Sequence, residues 1–150
     1  MGSTEIMTAP PRSFDGGCHC GAVAFTFRTA RPPERWEGRA CQCSFCRSHG
    51  ARSTSDPDGA VAFRIADAAL LQRYRFGSKR TDFLICRRCG VYVAAVITTP
   101  RGALATLNVN TLDAGRRASF DAMPVSYEGE SVEERQARRE KKWTPVAGPV

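Results

Sequence analysis

Seven cysteines fall into three tight sets, with none outside a set: Cys18 and Cys20; Cys41, Cys43 and Cys46; Cys86 and Cys89. An odd number cannot be fully paired as disulfides. In an intracellular chain, sets this tight read as metal binding. The two pairs together supply four thiolates, the closed tetrahedral shell of a structural zinc site. Cys18-His19-Cys20 sits at a strand entrance, and Cys86-Arg87-Arg88-Cys89-Gly90 has the form of a knuckle between strands. A metal held by Cys18, Cys20, Cys86 and Cys89 would clip together distant parts of the chain. Treated like a disulfide, such a closure is worth roughly 4 kcal/mol. The plainer alternatives are two unrelated pairs or a redox-active Cys-x-x-Cys.

Cys41-Gln42-Cys43-Ser44-Phe45-Cys46 then stands as a trio one ligand short of a closed shell. With zinc, the fourth position would take water or a substrate atom. It could hold an incoming thiol as thiolate, or polarise a carbonyl oxygen. Both fit addition of a thiol to an aldehyde. The competing reading is a second structural site, closed by His49. His19 lies between two ligands, where alternation points it away from the metal. Arg47, Arg52, Arg87 and Arg88 flank the cysteine sets and could grip substrate carboxylates, although each reads equally as a solvated charge. Asn108, Asn110 and Asp113 follow a strand, where turn chemistry explains them as well as a site does.

The chain has 150 residues, enough for one domain with a real core, and a formal charge of +7. Seven thiolates on two zinc ions would leave about +4. That surplus suits an anionic small molecule or nucleic acid, or is a solvated surface with no partner. No apolar run approaches the ~20 residues of a membrane helix, and no secretory signal is legible. The expectation is a cytoplasmic protein without a membrane partner.

Residues 1–13 read as a mobile leader, 14–143 as the domain and 144–150 as a fraying tail. Val23, Phe25 and Phe27 alternate with smaller or polar residues, the period of a half-buried strand over 22–28. Strands are expected over 60–65, 70–76, 81–85, 91–98, 103–109 and 124–127. The segments at 91–98 and 103–109 form a hairpin, and a short helical piece is placed around 112–120. Ser131-Val132-Glu133-Glu134 has the form of a capping box. It opens a charged surface helix reaching Trp143, with Glu134 and Arg138 as an i,i+4 pair. The class is mostly β: small antiparallel sheets stapled by zinc, with a C-terminal surface helix.

Gly17-Cys18-His19-Cys20-Gly21, Cys41-Gln42-Cys43-Ser44-Phe45-Cys46-Arg47 and Cys86-Arg87-Arg88-Cys89-Gly90 together resemble the glutathione-dependent formaldehyde-activating enzyme family, also called the centromere protein V family. All seven cysteines match in order and spacing, over about residues 14–115. The resemblance implies a β-tent fold and two zinc ions per chain. The structural ion would sit on Cys18, Cys20, Cys86 and Cys89, and the catalytic ion on Cys41, Cys43 and Cys46. It also implies condensation of formaldehyde with glutathione to S-hydroxymethylglutathione, a carbon–sulfur lyase run in reverse. Gln42 departs from a His often seen in the trio, and Val91 from a Thr after Cys-Gly. Residues 108–113 match only partly the family's Gly-Thr-Leu-Asp stretch.

The leading expectation is therefore a zinc-dependent carbon–sulfur lyase for a small thiol and aldehyde, with homo-oligomerisation left open. Two alternatives stand beside it: a zinc-ribbon-like module for nucleic acid or protein, and a zinc-thiolate redox sensor. Nucleic acid is disfavoured because the arginines are scattered and no basic, aromatic-rich stripe is legible.

Overall fold

A computed structural model describes residues 10–117 and 121–150. The expected leader up to residue 9, and residues 118–120 of the expected helical piece, lie outside the described residues. In chain order the strands are β1 (Arg12–Gly17), β2 (Val23–Thr29), β3 (Arg39–Cys41), β4 (Ser53–Thr54), β5 (Ala60–Ile65), β6 (Leu71–Tyr74), β7 (Asp82–Cys86), β8 (Tyr92–Thr99), β9 (Gly102–Asn108), β10 (Met123–Val125) and β11 (Thr144–Pro145). The helices are α1 (Ser44–His49), α2 (Asp113–Arg117) and α3 (Val132–Lys142). The chain is mostly β, as the patterning predicts.

One sheet has the order β1-β2-β5. Val23, Phe25, Phe27 and Thr29 of β2 are buried, alternating with half-buried or exposed neighbours, because this strand is central and presents one face to the core. Phe25 pairs with Gly16 on one side and Phe63 on the other. A Cβ on Gly16 would lie 2.6 Å from the Phe25 ring and from the Thr111 carbonyl, so only glycine fits there.

The second sheet runs β10-β3-β4-β9-β8-β7-β6, with β11 added on β9. An inner strand, β8, is buried from Tyr92 to Ile97. Val93, Ala94 and Val96 join the cluster that holds Phe25, Leu84 and Leu107. Tyr92, Ala95 and Ile97 join another with Cys46, Phe83 and Trp143. A strand covered on both sides loses strict alternation and becomes a continuous apolar run.

The structure alters several expectations. Arg12 and Ser13, assigned to the leader, pair with Thr29 and Arg28. In the expected tail, Thr144 and Pro145 pair with Ala105 and Leu104, and Ala147 donates to the Val61 carbonyl at 2.8 Å. The strand expected over 124–127 is β10, and it runs parallel to β3 rather than antiparallel to a neighbour. The long excursion between these strands supplies the crossover that parallel pairing needs. The capping box at Ser131 forms, with Glu134 accepting the Ser131 amide at 2.8 Å. Among the described residues Glu134 and Arg138 form no ion pair. Arg138 instead grips Glu130 through bonds of 2.8 and 3.0 Å.

Candidate active site

Two turns bring four thiols together. In the β1–β2 turn the Gly21 amide donates to the Cys18 carbonyl at 3.2 Å, and the Cys18 amide to Val23 at 2.8 Å. In the β7–β8 turn the Gly90 amide donates to Cys86 at 2.9 Å, and the Cys86 amide to Val91 at 3.0 Å. The two turns share one plan, in which a positive-φ glycine closes the loop (φ 84° at Gly21, 79° at Gly90). Cys18 Sγ lies 3.7 Å from Cys20 Sγ, which lies 3.6 Å from Cys86 Sγ. With metal–sulfur bonds of about 2.3 Å, the edge of a tetrahedral thiolate shell is about 3.8 Å. The sulfurs of Cys18, Cys20, Cys86 and Cys89 are therefore spaced to hold a metal ion. Burial pushes the Cys18 thiol up to about 11, and the Ala22 backbone amide lowers the exposed Cys20. A bound cation would replace the protons that such crowded thiols must otherwise share.

The second group is built locally. Cys41 ends β3, Cys43 caps the N-terminus of α1, and Cys46 sits buried inside the helix. Cys43 Sγ accepts the Cys46 amide at 3.4 Å. These three sulfurs also lie within 4.8 Å of one another and could hold a metal ion. The thiols of Cys41 and Cys46, and then the backbone amides of Cys46 and Phe45, hold the Cys43 thiol far below its usual value. In return Cys46 is raised by its two thiol neighbours and by burial, and Cys41 by Cys43. Cys43 is thus the sulfur of the trio that gives up its proton most readily.

His49 is not part of this group. Its ring lies against Phe45 at 4.6 Å and Tyr92 at 5.6 Å, and it borders a separate cavity of about 360 Å³ with His19. Asn108 donates to the Tyr92 carbonyl at 2.9 Å and caps the turn that follows β9. Arg52 Nε donates to Asn110 at 2.8 Å, and Asp113 opens α2. Arg47, Arg87 and Arg88 are exposed and do not line the cavity beside the trio.

That cavity has a volume of about 510 Å³, within the usual range for small-molecule sites. Cys41, Cys43 and Cys46 form part of its wall. Apolar surface comes from Phe76, Phe83, Tyr92 and Trp143. Its cations are Arg39, Arg135, Arg138 and Arg139, not the arginines singled out from the sequence. Arg39 is anchored by Glu37 at 3.0 Å and Ser55 at 2.7 Å. Burial, followed by repulsion from Arg138 and Arg135, lowers Arg139 to about 10. Burial, and then negative charge on the neighbouring cysteine group, raises the Tyr92 phenol, so it keeps its proton. The signal for the missed arginines was in the sequence. Arg135, Arg138 and Arg139 stand at i, i+3 and i+4, and Trp143 follows Arg139 by four, so they share a helical face.

A model of the family described as glutathione-dependent formaldehyde-activating enzyme matches residues 13–127. A crystal structure of a Rhodobacter sphaeroides protein shares the fold, with 24% identity, 89% of this chain and 99% of that chain covered, and a TM-score of 0.50. Among the described residues, no helix is long and apolar enough to cross a membrane.

Proposed function

The chain belongs to the glutathione-dependent formaldehyde-activating enzyme family, and from that premise we propose that it joins a small thiol to formaldehyde or a related aldehyde, and runs the reverse cleavage. The observation that carries this reading is the asymmetry of the two thiol groups. Cys18, Cys20, Cys86 and Cys89 form a four-donor set that does not line the larger cavity. Cys41, Cys43 and Cys46 form a three-donor set in its wall. The first set suits a structural zinc and the second a catalytic one.

Zinc held by Cys41, Cys43 and Cys46 would supply Lewis acidity and favour the thiolate form of an incoming thiol. The chain's own residues do the rest. The thiol sulfur bonds to the aldehyde carbon, the carbonyl π pair moves to oxygen, and the proton lost by the thiol ends on that oxygen, giving a hydroxymethyl thioether. Phe76, Phe83 and Trp143 exclude water beside the reacting atoms, and the basic wall attracts an anionic thiol. Thiol addition to formaldehyde already proceeds in water, so the principal gain is proximity of the two reactants.

The test is zinc analysis together with exchange NMR on one sample containing formaldehyde and glutathione. About two zinc per chain with accelerated exchange supports the proposal. Two zinc with exchange at the uncatalysed rate discards glutathione with formaldehyde as the reacting pair.

A further inference from the structure

The family match stops at residue 127, yet much of the cavity's basic wall comes from beyond it. Arg135, Arg138 and Arg139 of α3, with the adjoining Trp143, line the same cavity as the three cysteines. These arginines are not equivalent. Arg138 is neutralised by its two bonds to Glu130 and lies 3.4 Å above the Tyr127 ring. Arg135 shares Glu130 at 3.7 Å and donates to the Tyr127 carbonyl at 3.1 Å. Arg139 is not ion-paired among the described residues. Its Nη1 donates to the Thr81 hydroxyl at 2.6 Å and its guanidinium stacks 5.0 Å from the Trp143 ring centre. Its Nε is buried and has no hydrogen-bond partner among the described residues. A largely buried guanidinium without an ion-pair partner in contact destabilises the free protein. The same group gains most from a carboxylate, which its planar fork binds through two bonds.

We propose that Arg139 is the specificity-determining residue for the substrate, taking a carboxylate at the end remote from sulfur while the three-thiol group receives the sulfur end. The site's preferred substrates are then thiols that carry a carboxylate. This assignment rests on the function proposed above, but its test is separable from it. The anion anchor is a property of this chain's α3 and not of the segment that matches the family.

The experiment titrates the zinc-loaded protein with S-methylglutathione, which keeps the carboxylates and cannot react, and with its diethyl ester, followed by calorimetry. Wild type binds the acid more tightly than the ester. Arg139→Gln weakens the acid about tenfold, the value of one charge-assisted contact, and leaves the ester unchanged. Arg139→Lys recovers part of the loss, and serves in its place if the glutamine variant does not fold. Equal binding of the acid by wild type and variant, no binding of the acid by wild type, or equal weakening of acid and ester each overturns the proposal. If the acid binds as described but exchange with formaldehyde is not accelerated, the anchor stands and the proposed reaction falls.

Discussion

Replacing Cys89 by serine should cost far more stability than replacing Cys43, although each removes one thiol from one cluster. The difference follows from how far apart in sequence each cluster's ligands lie. Cys20 and Cys86 meet at 3.6 Å, so a metal between them closes the long loop from the β1–β2 turn to the β7–β8 turn. Closure of that loop restricts the unfolded chain by about 4 kcal/mol, whereas the few residues between Cys41 and Cys46 give only about 2 kcal/mol. Against a typical stability of roughly 5–15 kcal/mol, the larger loss leaves many domains of this size marginal. With an m-value of about 2 kcal/mol per molar, Cys89→Ser should lower the urea midpoint by about 2 M and Cys43→Ser by about 1 M. The assay is urea unfolding of zinc-loaded protein, followed by the fluorescence of the buried Trp36 and Trp143. Equal midpoint losses, or a larger loss for Cys43→Ser, would refute the reasoning and make both clusters structural staples.

Two further outcomes follow from the helical wall. Trp143 is 6% exposed and packs with Phe83, Ile97 and Cys46, so Trp143→Ala should cost about 3–5 kcal/mol, read as a lower melting temperature. Glu130 is held below the usual carboxylate range, chiefly by the hydrogen bonds from Arg138. Its contribution is therefore complete above the unfolded carboxylate value and disappears as the pH falls through the lower folded value. Glu130→Gln should then destabilise the protein more at pH 7 than at pH 3, compared by urea midpoints; an equal loss at both would show that charge is not its role.

The parts of the fold legible in the sequence were those with a strong local period. Val23, Phe25 and Phe27 announced β2, and Val61, Phe63 and Ile65 announced β5, whose bounds agree with the expectation. The cysteine sets foretold which thiols meet, because the chemistry of a tetrahedral shell does not depend on the intervening fold. The strands β3 and β4 carry two or three residues each, too few for any period to register. Thr144 looked like frayed tail because its reason for burial is distant: its hydroxyl accepts the Asp56 amide at 2.7 Å. Arg139 looked like surface charge for the same reason, since only the tertiary fold brings it to Thr81, distant in sequence, and to the cavity. The arginines beside the cysteines were the natural sequence choice for gripping carboxylates. However, proximity along the chain put Arg87 and Arg88 at the tip of an exposed turn.

The central claim is that thiol–aldehyde addition takes place at the three-thiol group and not at the four-thiol group. It is tested most directly by the formaldehyde–glutathione exchange rate of Cys43→Ser, measured on folded protein of known zinc content beside wild type. The account predicts that wild type with about two zinc accelerates exchange, while the variant stays folded, retains about one zinc and exchanges at the rate of the protein-free solution. A folded variant with one zinc and wild-type acceleration would contradict it.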